Sequence, residues 1–350
     1  MITIDHIPVG SDHPCFIIAE LSANHGGSLE TAIATIRAAR RSGADAIKLQ
    51  TYTPDTITID CRNDYFKLSH GTLWDGQYLY ELYQEAYTPW EWHETLFQVA
   101  KEEGLICFSS PFDRTAVDLL ANLHAPAYKI ASFEITDVPL IRYVAQQRKP
   151  VIISTGIAEL EDIELAVLTC RQVGNDQIIL LKCTSSYPAP MDQANLRTIP
   201  DLQERFQTVV GLSDHTLGMV SPVVAVALGA RVIEKHFILD KSLGGPDASF
   251  SLDQTEFTSM VTAVRQAEAA LGQVTYQLTD KARQSRQNTA RSLFVVQNAR
   301  AGDMITKDNV RSIRPGHGLH PKYYDQVLGK TFTTDVVRGT PLSNQFISEQ

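Results

Sequence analysis

Two histidines, His215 in GLSDHT and His236 in VIEKHF, each follow a short β-branched run of the kind that ends a buried strand. If Thr208–Leu212 and Arg231–Glu234 are consecutive strands of a parallel sheet, they lie about 4.8 Å apart and both imidazoles leave the same edge. Two imidazoles so placed can share a divalent transition ion. Asp214, Glu234 and Asp247 stand close in sequence as outer ligands or orienters. Either histidine alone reads better as a packed core residue. The pair at matching strand ends is what points to a metal. Elsewhere Lys48 and Lys129, with Ser110, Ser132, Ser154 and Ser213, would make a cationic pocket rich in hydroxyl donors, suited to a small phosphorylated carboxylate. A metal beside such a pocket would polarise a carbonyl oxygen. Glu134, Glu20 and Asp247 are the acid-base candidates.

Elements that could position these residues follow from the apolar pattern. Strand-like runs recur at Cys15–Glu20, Asp45–Gln50, Leu105–Ser109, Ala127–Ile130, Val151–Ser154, Gln177–Lys182, Thr208–Leu212 and Arg231–Lys235, with amphipathic helical patterns between them. Eight such units predict an α/β chain folded as a (β/α)8 TIM barrel, and an open doubly wound sheet is the alternative. Nearly every run ends in a polar residue, which a barrel would gather at one mouth. Thr51–Thr88 is a long insertion carrying Tyr52, Tyr65, Phe66, Trp74, Tyr78, Tyr80, Tyr83 and Tyr87. It reads as a lid whose aromatic faces suit the apolar faces of sugar rings, or as a packing cluster on the barrel rim.

The division expected is a catalytic barrel over 1–272, a polar linker over 273–291 and a small domain over 292–350. In that domain RAGDMIT (300–306) is weakly echoed by VRGTPLS (337–343), and Arg314 sits in a Gly- and Pro-rich tip. The 350 residues, 43% of them hydrophobic, can bury a large core, and the net charge of -9 disfavours nucleic acid or a membrane surface as partner. No apolar run approaches the roughly 18 residues of a membrane span. Five cysteines without CxxC spacing, among them Cys15, Cys107 and Cys183 in apolar runs, suggest reduced structural thiols in a cytoplasmic protein. Neither GxxxxGK[ST] nor GxGxxG occurs, so nucleotide use is not indicated.

The runs AELSANHGG, GADAIKLQTY, FSSPFD, ISTG, LLKCTSSYPAP, GLSDHT, VIEKHF and GGPDASFSL resemble the sialic acid synthase family along the whole chain, including its C-terminal antifreeze-like (SAF) domain with an RPGxG loop. GTLWDGQ, CTSSYPAP and RPGHGLHPKYY are similar to its pseudaminic acid branch; the N-acetylneuraminate and legionaminate branches are the alternative. The resemblance implies condensation of phosphoenolpyruvate with an open-chain N-acetylated aminosugar, giving a nine-carbon 2-keto acid and phosphate. It implies a divalent cation on His215 and His236, manganese first, with magnesium or cobalt as alternatives. It assigns Lys48, Ser110, Lys129, Ser132, Ser154, Ser185 and Ser213 to phosphoenolpyruvate. Glu20, Gln50, Tyr187 and Asp247 would orient the sugar, and Glu134 would handle a water proton. Arg314 would reach the partner's barrel in a domain-swapped homodimer. Ser185 and Ser110 stand where the neuraminate branch carries asparagine and threonine; both retain a hydrogen-bonding group. A noncatalytic carbohydrate- or ice-binding protein and a lyase running in the cleavage direction are the readings from other classes.

Overall fold

The computed structural model describes residues 2–11, 13–69, 71 and 73–349. His70 and Thr72, within the aromatic insertion, lie outside the described residues. The chain divides into two compact units, Met1–Gly272 and Gln273–Gln350.

The first unit opens with a short antiparallel hairpin, β1 (Ile2–Ile4) and β2 (Ile7–Val9). Eight parallel strands follow: β3 (Phe16–Glu20), β4 (Ala46–Thr51), β5 (Ile106–Pro111), β6 (Tyr128–Ile130), β7 (Val151–Ser154), β8 (Ile178–Cys183), β9 (Val209–Asp214) and β10 (Val232–His236). They pair in sequence order, and β10 returns to β3 to close the barrel, with Val232 opposite Phe16 and His236 opposite Glu20. The expected TIM barrel is therefore the observed fold. Its strands fall within one or two residues of the predicted runs, because strands covered on both faces read as nearly unbroken apolar stretches.

Alternation along each strand explains the mouth. The inward residues begin apolar at the bottom: Phe16 and Ile18, Ala46, Ile106 and Phe108, Ala127, Ile152, Ile179 and Leu181, Val232. Two residues further along, the same inward face carries Glu20, Lys48, Ser110, Lys129, Ser154, Cys183 and Glu234, as the period of two requires. Outward neighbours such as Ile17, Ile47, Leu49, Tyr128, Ile153 and Ile233 meet the surrounding helices. Gly211 has no side chain because a Cβ there would stand 2.3 Å from the Val232 carbonyl oxygen. The helices are conventionally capped: Ser28 Oγ accepts from Thr31 N at the start of Leu29–Arg41, and Asp253 with Glu256 forms a capping box on Gln254–Leu271.

The hairpin was not anticipated. Ile2, Ile4 and Val9 join the inward apolar cluster, so β1 and β2 help fill its floor.

In the second unit β11 (Ser292–Val295) pairs antiparallel with β12 (Val310–Ile313). The weak repeat is structural: Ala299 and Val336 exchange backbone hydrogen bonds of 2.9 Å each way, and a tight turn follows on both sides, with positive φ at Gly302 and Gly339. Residues 273–291 are not wholly irregular, as the linker reading had them. Thr279 caps a helix over Asp280–Thr289 that exposes nearly every residue, so no apolar stripe betrays it. Among the described residues no helix is long and apolar enough to cross a membrane.

Ile4→Ala, which empties a fully buried site in the barrel floor, is expected to lower unfolding free energy by about 2–5 kcal/mol in urea titration; a change below about 0.5 kcal/mol would show that the hairpin contributes no packing.

Candidate active site

At the mouth, four buried charges interlock. Glu234 accepts from Lys129 Nζ at 2.7 and 2.9 Å and from Ser213 Oγ at 3.0 Å. Lys48 Nζ lies 2.5 Å from Glu20 Oε2 and 3.7 Å from Glu234 Oε1, and donates to Ser110 Oγ at 3.3 Å. Gln50 Nε2 donates to Glu20 Oε1 at 3.1 Å and to Ser22 Oγ at 2.8 Å. All four charged side chains are buried. The lysines of the cationic pocket suggested by the sequence are thus each compensated: Glu20 stands beside Lys48 on the neighbouring strand, and Glu234 reaches Lys129 from the opposite side of the barrel.

The two carboxyls are tuned apart. Burial would raise Glu234, but the Lys129 and Lys48 ammoniums hold it down to about 2. Burial pushes Glu20 up to about 7 against the pull of Lys48, with Glu234 adding to the rise. Glu234 is thus the fixed anion and Glu20 the carboxyl able to take up or give a proton, a pairing suited to proton transfer. Glu134, on the turn after β6, is also pushed up to about 7 by burial and by Asp137, and its Oε2 has no hydrogen-bond partner.

His215 and His236 meet as expected: ring centroids lie 5.3 Å apart. The register explains it, because Lys235 pairs with Asp214 and the next residue on each strand is a histidine. His215 Nδ1 lies 3.0 Å from the Thr184 carbonyl oxygen and donates to it; burial would lower this imidazole's pKa, but Cys183 and the Thr184 carbonyl raise it, so Nε2 offers its lone pair only once its proton is lost. His236 Nδ1 has no hydrogen-bond partner, with Asp247 Oδ2 at 3.6 Å. Burial, then the neighbouring His215 and Lys48, lower the His236 pKa well below its usual value and keep it neutral. Two imidazoles with available nitrogens are a fitting donor set for a divalent ion. Among the described residues no third His, Cys, Asp or Glu completes a cluster, so the remaining positions would fall to water or substrate oxygens.

Tyr187 packs on His215 at 4.4 Å between centroids and on Phe250 at 5.2 Å, while Trp74 of the insertion reaches Tyr187 at 5.8 Å. The other insertion aromatics divide between the two readings: Tyr83 stacks edge-on against Tyr52 and Tyr80 bonds Asp55, whereas Tyr65 is 93% exposed. Ser154 Oγ is buried at the mouth without a partner, as a ligand-binding hydroxyl would be. Ser132 Oγ accepts from Gly156 N at 3.0 Å. A Cβ on Gly156 would stand 2.1 Å from Ser185 Oγ and 2.7 Å from Ser132 Oγ, so glycine is what lets these hydroxyls converge. Asp247 is buried beside the histidines, and burial raises its pKa. Arg314 belongs to the second unit, where it is exposed.

Sequence reasoning undervalued two residues. Cys183 is a free, buried thiol, as read from its apolar run, and its Sγ also lies 3.8 Å from His215 Nδ1 and 3.9 Å from Ser185 Oγ. Burial raises this thiol, but the charged form of His215, the Ser132 hydroxyl and Lys129 together pull its pKa down to about 7. Glu234 stood among possible orienters, whereas it is the hub of the lysine network. The signal for both was their inward parity, two residues beyond Leu181 and Val232.

A closed parallel barrel with interlocked charges, paired imidazoles and an aromatic wall at its C-terminal mouth has the arrangement of a barrel enzyme's active site. The NeuB family model matches residues 35–276, and the SAF domain model matches residues 290–347. The chain belongs to the NeuB family, in agreement with the sialic acid synthase motifs of the sequence. A pseudaminic acid synthase of Campylobacter jejuni is 49% identical over 332 residues, covering 95% of this chain and 96% of its own. An N,N'-diacetyllegionaminic acid synthase of Legionella pneumophila is 37% identical over 339 residues, covering 96% of this chain and 95% of its own. The crystal structure of spore coat polysaccharide biosynthesis protein spsE from Bacillus subtilis superposes with a TM-score of 0.67 at 34% identity, covering 99% of each chain.

Glu234→Leu strands Lys129 in the barrel and is expected to cost about 3–5 kcal/mol in chemical denaturation. The Lys129→Met, Glu234→Leu double variant should recover most of that loss; equal losses would mean that the two side chains are not energetically coupled.

Proposed function

We propose that this enzyme condenses phosphoenolpyruvate with 2,4-diacetamido-2,4,6-trideoxy-L-altrose to give pseudaminic acid and phosphate. The observation that carries the choice of sugar is the 49% identity to a pseudaminic acid synthase over nearly the full chain, against 37% to a legionaminic acid synthase. The chemistry is supported by the mouth, where Lys48, Lys129 and the unpartnered Ser154 hydroxyl stand beside the histidine pair.

Phosphoenolpyruvate would be gripped by Lys48 and Lys129 with Ser110, Ser132, Ser154, Ser185 and Ser213. Its charge beside Glu20 favours the protonated form of that carboxyl. His215 and His236 would hold a divalent cation, manganese by preference, which supplies Lewis-acid polarisation of the sugar aldehyde oxygen. Tyr187 and Trp74 would lie against the apolar face of the open-chain sugar, with Gln50 and Asp247 orienting its polar groups. A bond forms from C3 of phosphoenolpyruvate to the aldehyde carbon, and Glu20 passes its proton to the oxygen that becomes a hydroxyl. Water then adds at C2 while Glu134 takes one of its protons, and the C2–O bond to phosphate breaks as the new C2 hydroxyl gives its remaining proton to the departing phosphate, which leaves the keto acid. Exposed Phe133, Ile157, Leu217, Met219 and Leu243 on loops following barrel strands favour a covered mouth. The C-terminal unit carries eleven Lys and Arg against six Asp and Glu in a chain of net charge -9, which suits an acidic partner barrel. Both features support a domain-swapped homodimer in which Arg314 contacts an N-acetyl group in the partner's site. The work is assigned to the cytoplasm.

Phosphate release should require phosphoenolpyruvate, the altrose derivative and a divalent ion, and should fall by at least a hundredfold in His215→Ala and His236→Ala with melting temperature retained. Turnover of N-acetylmannosamine alone would transfer the assignment to the neuraminate branch. Because Glu134 must be ionised and Glu20 protonated, both with pKa near 7, kcat/KM should trace a narrow bell around neutrality. Glu134→Gln should abolish its acid limb; an unchanged limb would remove Glu134 from proton transfer.

A further inference from the structure

A second buried ion pair sits one residue away from each histidine and plays no part in the chemistry above. Lys235 precedes His236 and Asp214 precedes His215, and they are register partners on β10 and β9. By strand alternation they point away from the mouth while their neighbours point into it. Lys235 Nζ lies 2.5 Å from Asp214 Oδ2, with side-chain exposures of 0% and 2%. The same ammonium donates to the carbonyl oxygen of Thr216. Asp214 Oδ1 in turn accepts from Thr216 N at 3.0 Å. One lysine, adjacent to the second histidine, therefore holds the side chain of the residue before the first and the backbone of the residue after it.

Further bonds complete the grip. Ala189 N donates to the His215 carbonyl oxygen at 2.9 Å, and Thr216 Oγ1 donates to Ser221 Oγ at 3.1 Å. Stability alone is a poor reason to bury such a pair, because two apolar residues of similar volume generally serve as well or better. What a charge pair adds is a defined distance and direction, which holds two strand ends in one register.

We propose that Lys235 and Asp214 are positioning residues for the metal-binding histidines, holding His215 and His236 at the separation a shared divalent ion needs without touching the ion or either substrate. The inference rests on the reading that this histidine pair holds a divalent ion. It predicts that an apolar exchange spares the fold and loosens the ion.

The test is Mn2+ binding to purified, metal-free protein by isothermal titration calorimetry, with no substrate present. Wild type, His215→Ala and the double variant Lys235→Met, Asp214→Leu are compared, and melting temperatures are taken alongside. The double variant is used because either single change would strand a buried charge. The expected result is a melting temperature within a few degrees of wild type, at least tenfold weaker Mn2+ binding, and phosphoenolpyruvate affinity unchanged within twofold. Wild-type binding that is lost in His215→Ala but intact in the double variant overturns the positioning role and leaves the metal site standing. A wild-type protein that binds no Mn2+ overturns both. A double variant that loses Mn2+ and phosphoenolpyruvate together, or fails to fold, marks the pair as structural and likewise overturns the proposal.

Discussion

Two lysines buried inside a barrel are tolerable only with counter-charges, and the arrangement of those counter-charges determines what the mouth can do. Lys129 is held by both oxygens of Glu234, and Lys48 is shared unequally between Glu20 and Glu234. Glu234, doubly contacted, is driven to full ionisation, whereas Glu20 remains poised near neutrality. Glu20 and Glu234 raise the Lys48 pKa against its burial, whereas burial lowers that of Lys129 against the pull of Glu234; both side chains are held in place before any ligand arrives, so little reorganisation is left for the moment of reaction. The apolar floor below them supports the same end, since it excludes water from the underside of the network.

The paired imidazoles obey a related constraint. Their proximity follows from the hydrogen-bonded register of the last two barrel strands, and their chemical state follows from burial and from what each ring nitrogen faces. Tyr187 stacks against one ring and Phe250 lies 4.9 Å from the other, so the pair forms part of an aromatic wall. Trp74 brings the long insertion to that wall, 5.8 Å from Tyr187.

Much of this was legible before any coordinates. Strands buried on both faces and ended by polar residues announced the barrel, and the parity of His215 and His236 announced their meeting. The hairpin was not legible, because Ile2–Ile4 and Ile7–Val9 are too short to show a period and Pro8 argues against a strand. The pairing of Lys129 with Glu234 was hidden for a different reason: the residues are 105 apart in sequence, and only barrel closure turns both toward one axis. The apolar neighbourhood of Cys183 correctly signals a buried, free thiol while saying nothing of which face it is buried on. The Asp280–Thr289 helix lacks an apolar stripe and leaves only a capping threonine as a clue.

The central claim is that the interlocked lysines and the histidine pair form one preorganised site, with the anion on the first and the cation on the second. A crystal structure with Mn2+ and phosphoenolpyruvate, read through the manganese anomalous signal, tests it most directly. The account predicts one anomalous peak within bonding distance of nitrogens from both His215 and His236, and phosphoenolpyruvate within hydrogen-bonding reach of Lys48, Lys129 and Ser154 Oγ. Manganese bound away from these rings, or the anion seated outside the barrel mouth, would contradict it.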